Sequence, residues 1–206
     1  MKSENNKEFW ERFARLYDPF MKKSTSLYDN ICSSIRPALT KDMNVLELAC
    51  GTGQLSFPLA KNVRLFEATD FSPAMIREAK KKPAPSCLHF AVADATALPY
   101  ADESFDIVII SNALHIMPNP DLALKEIHRV LKKDGLLYAP TFMQGKSLFA
   151  KLRMKLLGLG GFHTFHKWTP SQFASYVELY SFEVTDFKTL ESPLLPLCFL
   201  RARKMT

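Results

Sequence analysis

From residue 45 onward, short β-branched or apolar runs alternate with amphipathic stretches, which predicts a mostly parallel sheet with helices on both faces. Seven runs read as strands: NVLELA (44–49), RLFEATD (64–70), CLHFAVAD (87–94), FDIVIIS (105–111), LLYAPTF (136–142), SFEVTDFKTL (181–190) and PLCFLRARK (196–204). The fourth is almost continuously apolar, as a strand covered on both faces must be. Pro140 lies near the end of the fifth and is its weak point, because proline cannot donate to a ladder. The last two runs suit an antiparallel hairpin at the sheet edge.

The helical stretches carry their own punctuation. In SPAMIREAKKK (72–82), Ser72 suits a cap, Pro73 the first helical position and the lysines the last turn. In PDLALKEIHRVLKKDG (120–135), Leu122, Leu124, Ile127, Val130 and Leu131 recur at helical spacing until Gly135 ends the run. Two aromatic-rich amphipathic helices, over 7–23 and 26–39, precede the sheet. No repeat, low-complexity tract or linker interrupts the pattern. We therefore expect one α/β domain over 1–206, a Rossmann-like doubly wound, mostly parallel seven-stranded sheet with an antiparallel C-terminal edge hairpin. Its expected parts are N-terminal helices (1–40) over the site, a core (45–142), a lid-like segment (146–168) and the C-terminal strands (180–204).

Composition narrows the class. With 47% hydrophobic and 23% charged residues, the chain is that of an ordinary globular protein. Its first residues, MKSENNKEFWERF, are polar where a signal peptide needs an apolar core, and no apolar run approaches the ~20 residues of a membrane span. A cytoplasmic location is the expectation. Cys32, Cys50, Cys87 and Cys198 are scattered without CxxC spacing or a histidine partner, so buried free thiols are expected and no metal site. The net charge of +6 would suit an anionic partner, yet no basic stretch interleaved with aromatics runs along the domain, and no nucleic-acid partner is expected.

Candidate chemistry gathers at the predicted strand ends, where doubly wound sheets bind their ligands. Gly51 and Gly53 would let the first turn approach a ligand closely, Thr52 could donate a hydrogen bond, and Glu47 could accept one from a cationic amine. Asp70 and Asp94 end the next two strands, and a carboxylate at the second strand end suits two vicinal ribose hydroxyls. Either aspartate could instead cap the turn or helix that follows it. The glycine turn lacks the full GxGxxG of a dinucleotide binder.

VLELACGTGQL, ATDFSPAMIREAK, VADATALPYADESFDIVIISNALHIM and ALKEIHRVLKKDGLL, in that order, make the chain resemble the class I S-adenosylmethionine-dependent methyltransferases. The resemblance is nearest to the small-molecule group that includes the ubiquinone and menaquinone biosynthesis enzymes, and it covers most of 45–142. It implies S-adenosyl-L-methionine as cofactor. Glu47, Ala49, Cys50, Gly51, Thr52 and Gly53 would hold its methionine part, and Asp70 the ribose hydroxyls. Phe71 and Met75 would pack on adenine, Asp94 would accept from its exocyclic amine, and Ala95 would offer a backbone donor. Ser111 and Asn112 would line the pocket near the methionine moiety, and Tyr17, in an LYD similar to the family's YD, would close over it. Ala49 and Cys50 stand where the family more often has glycine or another small residue, and KKDG at 132–135 replaces its usual KPGG.

Methyl transfer from a sulfonium needs alignment first and a base second. His115, just past the fourth strand, is the candidate general base, with helix packing as its bland alternative. His128 reads as a surface residue, and His163 and His166 lack the acidic neighbours of a metal pair. The acceptor is expected to be a small, apolar or lipid-like molecule. No acid occurs between Asp134 and Glu178, whereas Lys146, Lys151, Arg153, Lys155 and Lys167 do, so 146–168 is a candidate lid, peripheral membrane contact or ordinary helix. A non-catalytic binding module and an NAD-dependent oxidoreductase are the alternative functions. The oligomeric state is open.

Overall fold

The computed structural model describes residues 2–21, 24–143, 161–190 and 195–206, with side chains from Asn6 onward. Residues 144–160, which carry most of the expected lid or membrane contact, lie outside those described. In chain order the elements are α1 (Lys2–Met21), α2 (Thr25–Ile35), β1 (Asn44–Leu48), α3 (Ser56–Ala60), β2 (Leu65–Asp70), α4 (Pro73–Ala79), β3 (Leu88–Val92), β4 (Phe105–Ile110), α5 (Pro120–Val130), β5 (Leu131–Tyr138), β6 (Thr141–Phe142), α6 (Pro170–Glu178), β7 (Phe182–Leu190) and β8 (Leu197–Lys204).

The sheet runs β3-β2-β1-β4-β5-β8-β6, with β7 paired to β8. β1 to β5 are parallel and β8 is antiparallel to β5, β6 and β7, so the mostly parallel sheet and its C-terminal hairpin are both present. The strand count is eight rather than the seven expected, and Pro140 is the reason. β5 pairs Leu136, Leu137 and Tyr138 with Arg203, Ala202 and Arg201, and β6 resumes the same register with Thr141 on Cys198. A proline without an N–H has thus broken one strand into two collinear pieces. A second boundary also differs: α5 stops at Val130, and Leu131 already pairs with Phe105 as strand. KKDG belongs to β5, where Asp134 takes φ +59° and a Cβ on Gly135 would lie 2.8 Å from the Lys132 carbonyl oxygen.

Period-two alternation splits the core into two layers. Leu46, Leu48, Val108 and Ile110 face α5 and α6 (Leu124, Ile127, Phe173, Val177). Val45, Phe66, Ile107 and Ile109 face α2, α3 and α4 (Ile31, Ile35, Leu59, Ile76). Both faces of β4 are covered, which is why its sequence is continuously apolar. The strand order reverses between β2-β1 and β4, so the carboxyl ends of β1 and β4 flank the crevice in which such folds bind ligands. Outside the sheet, α1 lays Ala14 on Ala74 and Met75 of α4, and its aromatic side chains hang over that crevice. Among the described residues, no helix is long and apolar enough to cross a membrane.

Candidate active site

A cavity of about 780 Å³ opens at the carboxyl ends of β1, β2, β3 and β4, beneath α1. The strand-end turn builds one end of it. Ala49 (φ +54°) and Gly51 (φ +57°) both take the left-handed conformation that reverses the chain after β1. A Cβ on Gly51 would lie 3.3 Å from the Tyr17 ring, so glycine lets α1 close down on the turn. Gly53 (φ +92°) serves a different purpose: a Cβ there would lie 2.6 Å from the Phe57 ring. Packing requires the second glycine.

Asp70 ends β2 and holds this turn. Its Oδ2 accepts from the Gly51 N–H at 2.8 Å and its Oδ1 from the Ser72 N–H at 2.8 Å, so the carboxylate ties the β1 turn to the start of α4. Each oxygen keeps a lone pair for a ligand. Burial outweighs these two hydrogen bonds and pushes Asp70 up to about 6. Phe71 lines the cavity with a ring 43% exposed beneath the Lys7 ammonium, which is 4.5 Å from its centroid, and buried Met75 lies beside it. Asp94 and Ala95 also line the cavity; Asp94 Oδ1 accepts from the Thr96 N–H at 2.9 Å and the Thr96 hydroxyl at 2.7 Å, the capping arrangement. The loop that carries them is clamped from α5. Arg129 donates to the Leu98 and Tyr100 carbonyls, and Glu126 accepts from the Leu98 N–H at 2.7 Å.

Other expected residues have been given to the scaffold. Glu47 does not reach the cavity wall: its carboxyl accepts from the Ser56 hydroxyl, and burial raises it to about 8, leaving it protonated at neutral pH. Thr52 donates to Asp18 of α1, which also accepts from Gln54 at 2.9 Å and pairs with Lys82 at 2.6 Å. Neither Thr52, Cys50 nor Gly53 lines the cavity. Asp18, next to Tyr17 in LYD, is thus an anchor of α1 that sequence reasoning passed over. Its signal was a carboxylate beside the one tyrosine already singled out.

Tyr17, Ser111 and Asn112 do converge on the cavity. Burial pushes the Tyr17 phenol well up, and the neighbouring Tyr28 and Asp70 add to the shift; the Asn112 Nδ2 donates to the Ser111 hydroxyl at 3.3 Å. Asn112 (φ +53°) leaves its Oδ1 buried without a partner.

The opposite end is aromatic. Trp10 meets Phe9 at 5.0 Å, Tyr17 at 5.9 Å and Phe162 at 5.8 Å between ring centroids, so α1 and the 162 region share one apolar wall. Asn6, buried near the start of α1, donates to the Ile116 and His163 carbonyls and accepts from the His163 N–H, fixing 163 against 116. His115 faces the cavity from the short 3₁₀ turn Leu114–Ile116. Burial, reinforced by nearby His166, lowers it to about 4. His115 is therefore a neutral imidazole at physiological pH and a poor store for a proton. The sequence pattern, in which His166 lacks the acidic neighbours of a metal pair, gives no signal for His166 or Thr164. Both line this end.

Comparison with known proteins gives consistent results. The family model described as "Methyltransferase domain" matches residues 46–139. The demethylmenaquinone methyltransferase of Lactobacillus johnsonii is 44% identical over 97 residues, covering 44% of this chain and 40% of that one. That of Staphylococcus aureus is 34% identical over 177 residues, covering 75% and 73%. The chain thus spans less than half of the first relative and about three quarters of the second. A methyltransferase solved in complex with the Haloferax volcanii Trm112 methyltransferase activator superposes over 96% of this chain and 98% of that one, with a TM-score of 0.81 at 16% identity. That likeness is one of fold.

Proposed function

The chain belongs to the class I S-adenosylmethionine-dependent methyltransferases of the quinone-biosynthesis type, and from that premise we propose that it methylates a small apolar or lipid-like acceptor at the cavity under α1. The supporting observation is the two-ended cavity: a strand-end carboxylate and left-handed turn at one end, an aromatic chamber at the other.

The first end fits the cofactor. The orphaned Oδ1 of Asn112, the remaining lone pairs of Asp70 and the close approach permitted at Gly51 are a donor-and-acceptor set for an amino-acid and ribose moiety. Asp70 would take the ribose hydroxyls, Phe71 and Met75 the adenine faces, Asp94 and Ala95 its edge, and Ala49, Gly51, Ser111 and Asn112 the methionine part. Tyr17 covers Gly51 and excludes water. Glu47, Cys50, Thr52 and Gly53 act behind the wall, shaping the turn. S-adenosylmethionine supplies an electrophilic methyl; the chain's part is to align a nucleophile with it in a dry site.

The second end supports an apolar acceptor, since Phe9, Trp10, Phe13, Phe142 and Phe162 line it. The relatives are named for demethylmenaquinone, a small molecule, and a nucleic-acid partner finds no support in the site. His115, neutral and edge-on to Phe142 at 6.4 Å, would hydrogen-bond the acceptor. Calorimetric titration with S-adenosylhomocysteine and with NADH tests the reading: the first should bind and the second should not. Binding of NADH alone would return the site to the oxidoreductase alternative.

A further inference from the structure

β7 (Phe182–Leu190) is the longest strand of the sheet and, like β3 at the opposite end, pairs on one side only among the described residues. A long edge with free N–H and C=O groups invites another strand, and folded proteins commonly guard such an edge with charges, bulges or brevity. β3 is guarded by brevity, at five residues. On β7 a bulge lies between Val184 and Asp186, but from Asp186 to Leu190 the strand pairs with β8 without interruption. Asp186, Phe187, Lys188 and Thr189 are all exposed, so this regular run is open to solvent.

Side chains of the run alternate between the two faces of the sheet. Phe187 stands opposite Leu200, on the face that carries Cys198 and Ala202, and remains 44% exposed at the border of that apolar layer. Asp186 and Lys188 belong to the other face, opposite Arg201 and Phe199. The Lys188 ammonium lies 5.4 Å from the centre of the Phe199 ring. Among the described residues the Asp186 carboxylate has no ion pair, since Arg201 donates to the Thr185 hydroxyl instead, at 3.0 Å.

In an antiparallel pair, residues directly opposite one another share a face, so two copies of one edge meet about a two-fold axis that passes through a residue. An axis at Asp186 sets carboxylate against carboxylate, and one at Lys188 sets ammonium against ammonium. An axis at Phe187 sets Asp186 of each copy against Lys188 of the other, twice, and brings the two Phe187 rings together. Opposite Cβ atoms in such a ladder lie ~4.5–5.5 Å apart, within reach of both kinds of contact. Charges that would repel an unrelated strand therefore attract a second copy of this one, in a single register.

We propose that β7 is a self-association edge, at which two copies of the chain pair antiparallel about Phe187 and join their sheets into one. The contact supplies backbone hydrogen bonds, two Asp186–Lys188 pairs and one aromatic pair. None of these three residues lines the cavity, so the dimer forms whatever the cavity binds. One strand pair is small for an interface, and the dimer therefore exchanges with monomer as concentration changes.

Sedimentation of the full chain from ~1 µM to ~1 mM tests this, with thermal melts to show that each variant is folded. The parent should pass from monomer to dimer across the range. Asp186→Lys and, separately, Lys188→Asp each turn two attractions into two repulsions and should weaken dimerisation by at least ~10-fold. The double variant restores opposite charges in the same register and should return to within about threefold of the parent. Hydrogen exchange of the parent needs no variant: amides of 182–190 should slow as concentration rises. A chain monomeric throughout, a dimer indifferent to both single reversals, a double variant as weak as the single ones, or slowed exchange confined to another face would each overturn the assignment.

Discussion

Replacing Asp70 with asparagine separates what its carboxylate does for the fold from what it does for a ligand. In the parent, one oxygen accepts from Gly51 and the other from Ser72, each at 2.8 Å. An amide has one oxygen, so in either orientation its NH2 faces one of these N–H donors. The orphaned donor costs about 1–3 kcal/mol, but the neutral amide no longer bears the burial cost of the ionised carboxylate, so stability should fall at pH 5, where the parent is largely protonated, and change less at pH 8. A ribose diol loses its charged acceptor as well, so S-adenosylhomocysteine affinity should fall by about 1.5–3 kcal/mol, roughly 10- to 150-fold. The pH dependence adds a signature. Burial raises Asp70 from 3.8 to about 6, so the free folded protein gains a proton that the unfolded chain lacks between those values. The stability from this group is therefore fully present below 3.8 and is lost as pH rises through 6. Ligand binding runs the other way, because the diol donates to the ionised form: affinity should be flat above pH 6 and weaken by up to tenfold per unit below it. Calorimetric titrations from pH 5 to 8, with thermal melts of the unliganded protein on the same samples, measure both trends. A folded Asp70→Asn variant with parental affinity, or a parental affinity that is level through pH 6, would refute the ribose assignment.

Three further substitutions address the turn behind the site. Ala49→Gly relieves a left-handed alanine and should stabilise the protein by about 1 kcal/mol in urea denaturation, with cofactor affinity unchanged or improved. Gly53→Ala should destabilise it, because the new methyl meets Phe57 at 2.6 Å; pairing it with Phe57→Leu should recover part of the loss. Glu47→Gln keeps an acceptor for Ser56 while removing a carboxyl raised from 4.5 to about 8, whose contribution to stability is lost as pH rises through that range. The variant should melt several degrees above the parent at pH 8 and lose that advantage at pH 4.5.

The parts of this molecule that were legible in the sequence are those whose partners lie close along the chain. The β1 strand, its left-handed turn, and the aspartates at the ends of β2 and β3 each announce themselves within a few residues, and the continuous apolar run of β4 declares a strand buried on both faces. What was hidden depends on distant partners. Thr52 reads as a ligand donor until α1 brings Asp18 to it, and Gly53 reads as a ligand glycine until Phe57 folds back over it. Helical spacing carried α5 past Val130, because periodicity does not register that Leu131 pairs with Phe105. Pro140 is a visible weak point in the sequence, yet only the register on β8 shows that the broken pieces remain collinear. His166 is brought to the cavity by a backbone bond to His115, some fifty residues away, and by a stack on Trp168, neither of which a local pattern predicts.

The central claim is that this cavity transfers a methyl group to a small apolar acceptor. Incubation with methyl-labelled S-adenosylmethionine and a fractionated cell extract, followed by partition into organic solvent, tests it most directly. Label should appear in a low-molecular-weight, solvent-soluble product, and Asp70→Asn should reduce it at limiting cofactor. Label confined to protein or nucleic acid, or no transfer by a chain that binds S-adenosylhomocysteine, would contradict the account.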